Sequence, residues 1–216
     1  IPLMLHLYFY LECFMKLVCG VGINDFKIIG IKSTGTPEHK LWCGMLSRCY
    51  HRYPINSPYI GCTVSENFKS LVYFHKWVNE QVGFLFKDEN GLNWQLDKDI
   101  VGNGLVYSES VCCFVPRKIN TLLTQNKTTS LKIPGVHYST RDRKFYAACC
   151  DGKGVPVFIG LYKNRIDAFI AYRQRKEEVV KGYAREYAGL VDDRVTEALL
   201  NYSVPVPDIL AGDISL

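Results

Sequence analysis

The chain has 216 residues, 48% of them hydrophobic and 22% charged, without a low-complexity tract; this composition excludes a disordered or fibrous protein and leaves room for one large core or two small ones. Its formal charge of +5 is unevenly placed, because residues 126–190 hold 13 Lys and Arg against 6 Asp and Glu, net +7, which leaves −2 for the rest. A basic segment behind a near-neutral one favours a polyanionic partner, since phosphate contacts supply most non-specific affinity for nucleic acid.

Residues 1–14, IPLMLHLYFYLECF, are apolar, too short to span a bilayer and without the small-residue cleavage site of a secretory signal. Met15 is the expected natural start, with 1–14 an extension of the reading frame. In LWCGMLSRCY, Leu41, Met45 and Cys49 share one helical face with Trp42 and Leu46 beside them, so a core-facing helix is expected over 39–51. Prolines at 54 and 58 make the next stretch a loop, and Cys62-Thr63-Val64 reads as a short strand. Phe68, Leu71, Val72, Phe74, His75, Trp77 and Val78 return to helical spacing over 67–82, and 83–93 is a loop.

The stretch 95–120, QLDKDIVGNGLVYSESVCCFVPRKIN, reads as strand, turn at Gly102-Asn103-Gly104, second extended run, and a helix entered at Pro116. A carboxylate at the end of the first strand, Asp97, and a helix side chain, Asn120, are the kind of pair that can hold one cation. From Trp42 to Asn120 the residues that carry a resemblance are Trp42, Met45, Arg48, Cys49 and Tyr50; Tyr59, Gly61, Cys62 and Val64; Leu96, Asp97, Lys98 and Asp99; Tyr107, Ser108, Cys113, Phe114, Val115, Pro116, Ile119 and Asn120. With these spacings the segment resembles the HNH nuclease-like proteins of bacteriophages. The resemblance implies an HNH-like ββα-metal domain with added helices over 15–125 and hydrolysis of DNA phosphodiesters with a divalent metal, Mg²⁺ or Mn²⁺, with Zn²⁺ as an alternative. Asp97 and Asn120 would be metal ligands, and Lys98 and Asp99 catalytic residues. Lys98 stands where the family has its catalytic His, and Val111 where it has the orienting Asn. Loss of that base makes a catalytically inactive DNA-binding or regulatory protein the alternative reading.

The helix from Pro116 is expected to end near Thr124, and QNKTTSLK lacks an apolar period, so 126–132 reads as a linker. A second domain is expected over 133–204. Residues 138–149 alternate as strand, a Gly-bearing turn at 151–154 makes a hairpin, and 155–162 is a further extended run. The period then becomes helical through Ile166, Phe169, Ile170, Tyr172, Val179, Val180 and Tyr183, with Asp167 near the start and basic residues toward the end, as the helix dipole favours. The expected architecture is a three-stranded antiparallel sheet packed on one helix, which makes the whole chain α+β. Val195, Leu199 and Leu200 suggest a second short helix, and 205–216 reads as a tail.

Gly135-Val136, the basic hairpin followed by Phe145-Tyr146-Ala147-Ala148, Gly160-Leu161-Tyr162 and the helix from Ala168 to Tyr172 are similar to the plant ethylene-response-factor DNA-binding domain, found behind phage and homing-type HNH nucleases. This resemblance implies double-stranded DNA as partner, held by Arg141, Arg143, Lys144, Tyr146 and Lys153. The family's Trp-rich strand is missing, since no Trp follows Trp94. Nine cysteines, an odd number at spacings unlike a zinc site, read as reduced thiols. Together with the phage resemblance they imply the cytoplasm of an infected bacterial host, without a membrane partner.

Overall fold

The computed structural model describes residues 16–51, 59–102, 104–123, 131–151 and 156–212. The expected extension at 1–14, most of the linker at 126–132, Asn103 and Lys153 lie outside the described residues. The described chain is α+β, with five α-helices and a three-stranded antiparallel sheet. Its residues form two compact units, the first made of the chain up to Phe84 with Leu96–Cys113, the second of Leu85–Gln95 with the chain from Phe114 onward.

In the first unit, helix α1 (Pro37–Tyr50) starts where Thr36 caps the amide of His39 and Pro37 occupies the first turn. Trp42, Met45 and Leu46 are its buried face, one step round from the face centred on Leu41 and Cys49 that spacing alone suggests. Strand β1 (Thr63–Val64) and a 3-10 turn at Asn67–Lys69 lead to α2 (Leu71–Asn79), capped by Ser70 on the amide of Tyr73. Helical spacing does not run unbroken from 67, because Ser70 leaves the helical region to act as that cap. Phe68, Phe74 and Trp77 meet at ring centroids 4.7–5.7 Å apart, and Trp42 Nε1 donates to the Phe68 carbonyl at 2.7 Å. Strand β2 (Gln95–Asp97) begins the stretch that carries Asp97. Strand β3 (Val106–Tyr107) pairs in parallel with β1.

Strand β4 (Cys113–Val115) is buried throughout and leads through Pro116 into α3 (Arg117–Leu123) of the second unit. Its sheet has the order β5 (Val136–Ser139), β6 (Lys144–Cys150), β7 (Pro156–Tyr162), with a register shift between Ala147 and Ala148. Helix α4 (Arg165–Glu186) opens on Asn164, whose side chain accepts from the Asp167 amide. Its first turns place Ala168 and Phe169 in a core with Ile133, Val136 and Ala147, and Tyr172 packs beside them. Its later turns serve α3: Lys176 donates from Nζ to the Leu122 carbonyl, and Lys118 pairs with Glu186 at 3.1 Å. Lys118 also lies 5.5 and 4.9 Å from the rings of Tyr183 and Tyr187. Helix α5 (Asp193–Leu200) follows, and the chain then returns to the sheet core. Val204 and Leu210 are buried there, so apolar side chains anchor part of the segment that composition alone reads as a tail. Among the described residues all eight cysteines are free, and no helix is long and apolar enough to cross a membrane.

Candidate nucleic-acid interface and the acidic turn

The end of β2 folds into a tight turn because Asp97 accepts two backbone amides with one oxygen. Its Oδ1 takes the N–H of Asp99 and of Ile100, both at 2.8 Å, the arrangement by which an Asp replaces backbone partners at a turn. Asp97 is only 4% exposed. Burial pushes its carboxyl above the usual carboxylate range, against the two amide hydrogen bonds, which favour the charged form.

Lys98 is also 4% exposed. Its Nζ donates to Asp99 Oδ1 at 2.7 Å and lies 5.2 Å from the centroid of the Tyr107 ring, so a carboxylate and a π-face both meet its charge. The Tyr107 hydroxyl in turn accepts from Arg48 Nη1 at 3.4 Å. Gly104 closes the turn with φ +80°, and a Cβ there would lie 2.8 Å from Asp99 Oδ1. The sequence places a glycine where both the backbone and the neighbouring carboxylate exclude a side chain.

The turn therefore brings Asp97, Lys98 and Asp99 together. Asp97 spends one oxygen on backbone amides, and the positive charge beside Asp99 comes from Lys98 itself. A small hard cation such as Mg²⁺ needs about six oxygens, and the fit of this turn to one is partial, since one oxygen of each carboxylate is already engaged. Among the described residues no group of three or more His, Cys, Asp or Glu is placed to hold a metal ion. Asn120, in α3, belongs to the second unit, where its amide nitrogen donates to Gln95 Oε1 at 2.9 Å.

In that second unit the β5–β6 turn gathers Arg141, Arg143 and Lys144, all exposed. The one acid among them is folded back: Ser139 Oγ donates to Asp142 Oδ2 at 2.7 Å and accepts from the Asp142 amide at 3.2 Å. Arg143 reverses the chain in the left-handed region at φ +52°. Tyr146 stands two residues along β6 from Lys144, on the sheet face away from α4.

Side chains that sequence spacing does not single out share that face. His137 is the β5 partner of Tyr146, and their rings stack at 4.9 Å and 16°. Phe158, opposite Ala148 on β7, lies 6.3 Å from Tyr146 and is 60% exposed, while Leu161, opposite Tyr146, is 43% exposed. The alternation of β5 and β6 is a signal for His137 and Tyr146. Phe158 depends on the register shift, which nothing in the residue order announces. Comparison with protein-family models, curated proteins and solved structures finds no match.

Proposed function

We propose that the chain is a DNA-binding protein of phage type, in which the sheet-and-helix unit grips duplex phosphates through Arg141, Arg143 and Lys144, with Tyr146 beside them. The single observation that carries this reading is the hairpin: three exposed cations lie within four residues, and Asp142 among them is hydrogen-bonded to Ser139. A two- or three-stranded ribbon fits a major groove, and its phosphate contacts are sequence-independent. In this proposal the stretch from Asp97 to Asn120 is an HNH-like ββα region without its catalytic base, and the protein works in the cytoplasm of a phage-infected bacterium. Lys98 is buried and its ammonium, which has donors and no acceptor, is engaged by Asp99.

The test is retention of a random-sequence duplex across a salt series. Affinity falls linearly on a log–log plot, and Lys144→Ala lowers the slope by about 1 while weakening all sequences alike. Affinity that does not change with salt removes this reading.

A second reading, an endonuclease using Mg²⁺ or Mn²⁺, is favoured by one observation: a carboxylate buried at the end of a strand, with its carboxyl pushed up by that burial. In it Asp97 contributes to holding the ion, which would supply Lewis-acid polarisation of the phosphate, while Lys98 or Asp99 takes the place of the family's His in activating water or holding the phosphate. Plasmid incubated with either metal decides it. Cleavage by the native chain that Asp97→Ala abolishes supports this reading, and cleavage indifferent to that substitution removes Asp97 from it.

A further inference from the structure

The sheet face opposite α4 is covered by side chains that charge alone does not explain. His137, Tyr146 and Phe158 form one row of rings across β5, β6 and β7, with Leu161 alongside. Phe158 closes the row and is 60% exposed, a large apolar surface to leave in water. Duplex DNA offers such rings little, because its bases already stack on one another, whereas an unpaired base has a free π-face.

We propose that this face binds single-stranded nucleic acid, with a base stacked on Phe158 and the backbone led along β6 to the cations of the hairpin. The proposal rests on the nucleic-acid reading above and adds, beside the duplex phosphates of that reading, a strand with unpaired bases as a further ligand of the same unit. The two parts of the surface suit one occupant. Lys144 and Ala148, the partner of Phe158, lie four residues apart on β6, about 13 Å along the strand at ~3.3 Å per residue. A cationic end and an aromatic end at that separation match the phosphates and bases of a short oligonucleotide, the combination that single-strand binding sites use. An apolar partner protein would leave Arg141, Arg143 and Lys144 unmatched.

Fluorescence anisotropy of the full chain with labelled dT15, U15 and a 15-base-pair duplex tests it. Phe158→Ala is expected to weaken dT15 and U15 about tenfold, as loss of one stacked base does, and to leave duplex affinity within about twofold and the salt slope unchanged. Lys144→Ala instead lowers the single-strand slope by about 0.7. Phe158→Trp retains affinity and its emission is quenched on adding dT15, a readout independent of any loss of folding in the alanine variant. A preference for dT15 or U15 names the strand, and the proposal stands with either. Single-strand affinity indifferent to Phe158→Ala overturns it while leaving salt-dependent duplex binding intact. Failure to bind any of the three probes overturns both readings. A change in sedimentation mass without a change in affinity makes the face a contact between copies of the chain and also overturns it.

Discussion

Replacing Gly135 by alanine probes the packing that supports the basic hairpin. Gly135 precedes β5 at φ +67°, and a Cβ there would lie 2.0, 2.3 and 2.5 Å from three atoms of the Tyr172 ring. Two effects add. An L-residue in the left-handed region costs about 1–2 kcal/mol, and moving a ring packed against the core of Phe169 and Val136 costs about 1–3 kcal/mol more. The expected loss is therefore about 2–5 kcal/mol, a large part of the stability of a small domain. Gly189→Ala is the control: it has φ +75° with nothing within 4 Å of its Cβ, so it carries only the backbone part, about 1–2 kcal/mol. The readout is amide exchange at Ala148, whose N–H donates to the Gly135 carbonyl at 2.9 Å, which reports this sheet rather than the chain as a whole. Combining Gly135→Ala with Tyr172→Leu should recover more than 1 kcal/mol of the summed losses, since the two sites share one space. Equal losses at 135 and 189, or strict additivity with Tyr172→Leu, would show that the ring does not lie over Gly135.

The buried charges give two further expectations. Asp97→Ala leaves the amides of Asp99 and Ile100 without their acceptor and should cost about 2 kcal/mol in urea unfolding, whereas Asp97→Asn keeps an acceptor and should be close to neutral at pH 7. Because burial raises the Asp97 carboxyl in the folded chain, its favourable contribution is complete below the unfolded value of about 3.9 and fades as pH rises through the folded value; the native chain should lose stability relative to Asp97→Asn across that window, and parallel curves would contradict the burial. Lys176 runs the other way. Burial holds its ammonium below the ordinary lysine range, against Cys149 and Cys150, which favour the charge, so the unfolded chain binds the proton more readily and stability should rise with pH between the folded value and about 10.4. Lys176→Met should lack that rise, so the native-minus-variant difference should climb with pH, and a difference curve flat from pH 7 to 10 would refute the reasoning.

Much of the sheet-and-helix unit is readable from residue order because its local signals agree. Asn164 and Asp167 announce the start of α4, Ala168 and Phe169 its buried face, and Gly135 the sharp entry to β5. The outer face is half legible. Tyr146 follows from the alternation of β6, but period 2 along β7 pairs Leu161 with Ile159, and the register shift substitutes Phe158 and turns Ile159 toward the core. A bulge of this kind is set by tertiary pairing, not by a turn residue. In the other unit, the acidic run Asp97-Lys98-Asp99 is visible as a cluster of charge. The division of labour within it is not, since it depends on two backbone amides and on Tyr107, ten residues downstream of Asp97. Leu210 shows the same limit at the other end of the chain: the run Ile209-Leu210-Ala211 after two prolines is too short to have a period that would betray its burial.

Helix α4, 22 residues long, runs for about 33 Å and has two tenants. Ile166, Ala168, Phe169 and Tyr172 seat the sheet, while Lys176, Tyr183 and Glu186 seat α3 and its Asn120. One continuous helix packed against both sets the distance between the sheet and α3. The helix is the spacer of the unit, and lengthening α4 by one turn between Tyr172 and Lys176 would change that distance by about 5.4 Å.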